Sequence, residues 1–85
     1  NGATAMGEMA KSTESGLIGC TQVTEINYTE GVDLVDVLPA EFELSTDYTL
    51  GICTGSKNPE QAQQLSDLLS GTASQAVRKL GGFEF

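Results

Sequence analysis

The sequence contains no histidine and no tryptophan, and only two cysteines, two prolines and four lysine or arginine residues among 85 positions. Without histidine the chain holds neither a Ser-His-Asp nor a Cys-His nucleophile pair, and it lacks the commonest transition-metal ligand. Cys20 and Cys53 are too few for a disulfide scaffold and do not have the spacing of a zinc site. Each lies among apolar neighbours in a stretch that reads as a strand, so two buried free thiols are expected, with a bridge between them left open. The shortage of cations against twelve aspartates and glutamates gives a formal net charge of −8 and a pI near 4.1. Such a field repels phosphate backbones and anionic membrane surfaces, which argues against nucleic-acid binding as the main role. The carboxylates are scattered, and a solvated surface is their plain reading. No run approaches the roughly 20 apolar residues that span a bilayer, so a soluble chain is expected. The chain opens at Asn1 with neither an initiator methionine nor a leader-like segment, and any targeting segment is expected to have been removed or to lie elsewhere.

What is present is organised around Gly16-Leu17-Ile18-Gly19-Cys20-Thr21-Gln22, running into Val23-Thr24-Glu25-Ile26. The stretch reads as a short buried strand that stops in small polar residues and turns into a helix, with Thr21 capping the free N–H groups of that helix. In open α/β sheets ligands sit beyond the carboxyl ends of strands, at helix N-termini. A ligand site, if the chain has one, is therefore expected at Cys20, Thr21, Gln22 and Val23.

Ahead of this stretch, residues 1–15 read as a helix with a weak apolar face of Ala5, Met6, Met9 and Ala10. After it comes a helix of barely two turns over 22–28, closed by Thr29-Glu30-Gly31. Val32 to Leu38 is β-branched and largely apolar, a second buried strand ended by Pro39. Strand, helix and strand within some twenty residues make a βαβ unit with parallel pairing. Glu41 to Leu44 reads as a short extended piece, and Tyr48, Leu50 and Ile52 share one face of a further strand that runs to Cys53. Asn58, Pro59, Glu60 and Gln61 then form a capping box, opening a helix whose stripe is Ala62, Leu65, Leu68 and Leu69 and whose stop is Gly71. A second box, Thr72 with Gln75, opens a helix carrying Ala73, Ala76, Val77 and Leu80, with Arg78 and Lys79 in its last turn and Gly81-Gly82 behind it. Three strands do not cover this much helix, and the last helical pair has no sheet of its own to lie on. An incomplete α/β fold is the reading.

Three segments, in this order and spacing, carry a resemblance. They are Ile18 to Ile26, the Val32-to-Ala40 strand ending in Leu38-Pro39-Ala40, and Ser56-Lys57-Asn58-Pro59-Glu60 followed by Leu68-Leu69-Ser70 and Leu80-Gly81-Gly82-Phe83. Together they resemble the C-terminal part of a molybdate-binding-type periplasmic solute-binding protein, the receptor of an ABC importer. The resemblance implies a type II periplasmic-binding fold, in which two α/β lobes close on a ligand. Residues 1–45 would belong to the second lobe, residues 46–55 to the return or hinge strand, and residues 56–85 to a C-terminal helical pair packing on a first lobe. The chain would then be a fragment of a roughly threefold longer periplasmic or extracytoplasmic protein. Molybdate-binding members commonly place a tyrosine in this strand-to-helix turn to donate to the oxyanion. Residue-by-residue alignment puts Gln22 there, a departure that counts against molybdate itself and admits another small oxyanion or a neutral polar solute beside the molybdate or tungstate that the resemblance implies. Thr21 would offer its hydroxyl and backbone, and Cys20 mainly backbone.

Two other functions compete with a receptor that delivers its solute to a membrane permease. One is a thiol enzyme with Cys20 as nucleophile, which has the position but no neighbouring base. The other is a small acidic self-associating interaction domain, one that folds alone or a swapped oligomer that completes its sheet from a neighbour's chain; the isolated fragment is itself expected to oligomerise, because exposed apolar stripes and sheet edges seek partners. No cofactor is expected.

Overall fold

The computed structural model describes residues 1–85 and contains four α-helices joined by extended chain. They are α1 (Gly2–Lys11), α2 (Val23–Tyr28), α3 (Pro59–Ser70) and α4 (Gln75–Gly81), with single 3-10 turns at Ala40–Phe42 and Thr72–Ser74.

Helix α1 forms where the spacing of Ala5, Met6, Met9 and Ala10 predicts it, and Asn1 caps it by accepting from the Thr4 amide at 2.9 Å. It stops at Lys11 rather than running to Ser15, because Ser12 takes an extended backbone and its hydroxyl accepts from the Glu14 amide at 3.2 Å. Local side-chain bonds of this kind compete with helix propagation. Helix α3 has the predicted bounds, with Pro59 in its first turn and Gly71 behind it. The predicted capping box at its start does not form: Asn58 is the cap residue by position, but its side chain makes no capping bond. The second predicted box also gives way. Thr72–Ser74 wind into a 3-10 turn, and α4 begins only at Gln75. Ser74 Oγ accepts from Arg78 Nε at 3.1 Å, and Arg78 Nη2 donates to the Gly71 carbonyl at 2.9 Å, so the arginine fastens the α3–α4 corner. Its guanidinium also lies 4.5 Å from the centroid of the Phe85 ring, over its face, which seats the aromatic tail.

The strands predicted at Gly16–Gly19, Val32–Leu38 and Tyr48–Cys53 are not built into a sheet. Every backbone hydrogen bond outside the helices is a local turn or cap bond, and none joins two extended segments. A strand draws its stability from a neighbour, and these apolar segments have none beside them. Cys20 and Cys53 are accordingly exposed free thiols, not the buried ones expected.

Helices distant in sequence meet along two seams. Helix α1 lies on the Gly19 turn and on α2, and Met6 is the one buried residue of the chain. A Cβ on Gly19 would stand 2.6 Å from Met6 Cε and 3.0 Å from Met9 Sδ, so the missing side chain is what lets the helix approach. The second seam sets α2 against the end of α4, where Asn27 Nδ2 donates to the Gly81 carbonyl at 3.2 Å. The stripe of α3 stays largely open to solvent, with Leu65 and Leu68 each more than half exposed. Helix α3 runs beside Leu50 to Cys53, leaving an open apolar groove.

Candidate ligand-binding turn

The four residues expected to form the site occupy the turn between the Gly19 contact and α2, and their side chains part in several directions. Thr21 does not cap α2. Its hydroxyl donates instead to Glu25 Oε2, one helical turn on, and the cap position falls to Gln22, whose side chain makes no capping bond. Val23 is the first residue of α2 and lies against the C-terminal end of α4, where a Cβ on Gly82 would come within 2.7 Å of Val23 Cγ1. Gly82 has φ of 110°, a conformation that a side chain disfavours, so glycine serves both the turn and the contact there. Cys20 is exposed and unbridged.

Gln22 is the one of the four whose side chain hydrogen-bonds a distant segment. Tyr48 OH donates to Gln22 Oε1 at 2.9 Å, and Gln22 Nε2 donates to Thr46 Oγ1 at 3.3 Å. The Tyr48 ring in turn meets Phe83 edge-on, with centroids 6.1 Å apart and planes at 69°. The turn, the 46–48 segment and the chain following α4 are thus joined through one carboxamide and two aromatic rings. Thr46 and Tyr48 were not among the expected site residues. The sequence signal for Tyr48 was ambiguous, since an aromatic at the head of an alternating stretch reads equally as one more core-facing residue.

Chemically, the cluster offers a hydroxyl, a phenol and a carboxamide, all polar and uncharged, with the Glu25 carboxylate beside it engaged by Thr21. No group of three or more His, Cys, Asp or Glu side chains is placed to hold a metal ion, and no helix is long and apolar enough to cross a membrane.

No curated protein and no solved structure matches the chain. A family model does, that of the bacterial extracellular solute-binding proteins, over residues 2–84. The match runs through α1, the Cys20–Val23 turn, the 46–48 segment and the last two helices alike. Such proteins act outside the cytoplasm, on a small-molecule ligand and with a transporter as partner, and it is to the bacterial extracellular solute-binding protein family that this chain belongs.

Proposed function

We propose that the chain is the C-terminal part of a two-lobed α/β receptor of an ABC importer, which binds a small oxyanion or polar solute by lobe closure and hands it to a membrane permease. In this reading residues 1–45 belong to one lobe, residues 46–55 to the hinge crossing, and residues 56–85 to helices that pack on the other lobe. Cys20, Thr21, Gln22 and Val23 form the part of the site that this chain supplies. The observation that carries the reading is the Gln22 clasp: a residue of the turn is hydrogen-bonded to Thr46 and Tyr48, 24 and 26 positions away, in the segment assigned to the hinge. A contact between a ligand turn and a hinge is where binding and closure can be coupled. Neutral hydroxyl and amide donors suit a solute held without a countercharge, in keeping with a chain of net charge −8. The exposed leucines of α3 and the unpaired apolar segments support a larger protein whose remaining sheet covers them.

The reading makes the protein a binder and not an enzyme, and it leaves the Cys20 thiol without a catalytic role. Calorimetric titration of the full-length receptor with molybdate, tungstate, sulfate, phosphate and a set of neutral polar solutes tests it. Saturable binding of one class is expected. A flat response to the whole panel would overturn it. Failure of Cys20 to react with iodoacetamide at neutral pH would dispose of the thiol-enzyme alternative.

A further inference from the structure

We infer that the seam between α2 and α4 is a latch between the two lobes, made when they close, and that Asn27 is its releasable tie. The inference rests on the reading that residues 1–45 and residues 56–85 belong to opposite lobes. On that reading α2 and α4 ride on different bodies, so a contact between them is made or broken as the bodies rotate about the 46–55 crossing. Such a contact sits at the end of α4. Asn27 Nδ2 donates to the Gly81 carbonyl at 3.2 Å, across 54 positions of chain. That carbonyl lies in the last turn of α4, where the helix offers it no amide of its own. Beside the bond, a Cβ on Gly82 would stand 2.7 Å from Val23 Cγ1, 3.2 Å from Asn27 Nδ2 and 3.4 Å from the Thr24 backbone nitrogen. The bare backbone of Gly82 therefore lies against three residues of α2.

The end of α4 is anchored at the crossing, because Phe83 meets the Tyr48 ring edge-on. On α2, Gln22 bonds the crossing segment itself, and Asn27 lies more than one helical turn further along, so rotation about the crossing displaces Asn27 more. The tie also suits reversible use. Asn27 is exposed, so water replaces the Gly81 carbonyl when the lobes part, and opening strands no buried polar group. A contact present only in the closed form adds its free energy to closure. It raises the affinity for every solute by the same factor, whatever the chemistry of that solute.

The test uses the proposed two-lobed receptor and its Asn27→Ala and Asn27→Leu variants, the second keeping the bulk of the side chain and removing the donor without adding charge. Each is titrated by calorimetry with molybdate, tungstate, sulfate, phosphate and the neutral polar solutes of the same panel, and melted with and without them. Every solute that binds the wild type is expected to bind both variants about fivefold more weakly. The melting temperature of the solute-free receptor is expected to stay unchanged, while the rise produced by a bound solute shrinks. Affinities within twofold of wild type in both variants overturn the inference and leave the receptor reading standing. So does a lower solute-free melting temperature without loss of affinity, because a tie made in the open and closed receptor alike stabilises the fold and not closure. A factor that differs from one solute to the next would mean that Asn27 touches the solute, and overturns the inference as well. Absence of binding to the entire panel by the wild type overturns the receptor reading itself.

Discussion

Gly19 and Gly82 both sit where a side chain would collide, and the two collisions differ in kind. At Gly19 the obstacle is the thioether end of Met6, at 2.6 Å from an added Cβ, which is the far tip of a flexible side chain. At Gly82 the obstacle is Val23 Cγ1 at 2.7 Å, a stiff β-branched side chain, and the backbone has φ of 110° as well. Methionine can swing aside at small cost, whereas valine and a left-handed backbone cannot both be relieved. Gly19→Ala is therefore expected to cost under about 1 kcal/mol and Gly82→Ala about 1–3 kcal/mol, read from chemical unfolding of the proposed two-lobed receptor. Equal effects would mean that the α2–α4 seam is not the constraint at Gly82. The site follows the same logic of distance. That a helix starts at the end of the Cys20–Gln22 turn was legible from Gly16 to Ile26, because a helix start is a local event, whereas the strand expected before it is not formed. That Gln22 would be held by Tyr48 was not, since the pairing joins residues 26 positions apart and nothing in either neighbourhood points to the other.

Helices α1 and α3 were legible for the same local reason, and their caps show where the legibility stops. An apolar stripe at helical spacing, a proline in the first turn and a glycine after the end fix α3 without reference to the rest of the chain. Which side chain completes a cap depends on the backbone angles of one residue, and composition does not reveal them. Asn1 and Asn58 hold the same position on their helices, yet only Asn1 accepts a capping bond, from Thr4. Asn1→Ala is expected to weaken α1 by about 1 kcal/mol and Asn58→Ala to change α3 by a few tenths, seen as unequal losses of ellipticity at 222 nm in the isolated chain. Similar losses would show that the Asn58 carboxamide caps in solution after all. The strands were the least legible in outcome. Val32 to Leu38 and Tyr48 to Cys53 have the composition of strands, but a ladder needs hydrogen-bonding partners, and sequence pattern cannot supply them.

At the scale of the whole molecule the dimensions are those of an open chain. The radius of gyration is 16.7 Å, where a compact chain of this length would have roughly 12 Å. The accessible surface is 7351 Å², and a folded protein of the same mass would show about 4,800 Å². The excess exceeds the roughly 800 Å² that each partner loses in a standard interface, and much of it is leucine, valine and phenylalanine. Burial of that surface favours association of isolated chains, while a net charge of −8 on each copy opposes it. The two forces respond differently to salt. Repulsion between charged surfaces falls as the screening length shortens to about 3 Å at 1 M, whereas apolar attraction persists. The isolated chain is thus expected to elute near the monomer position at low ionic strength and to shift to dimers or larger species in molar sodium chloride, with native mass spectrometry fixing the stoichiometry of the low-salt sample. A monomer at both ionic strengths that also unfolds cooperatively would mean that these 85 residues close a core of their own, and the proposal of a second lobe covering the apolar surface would fall.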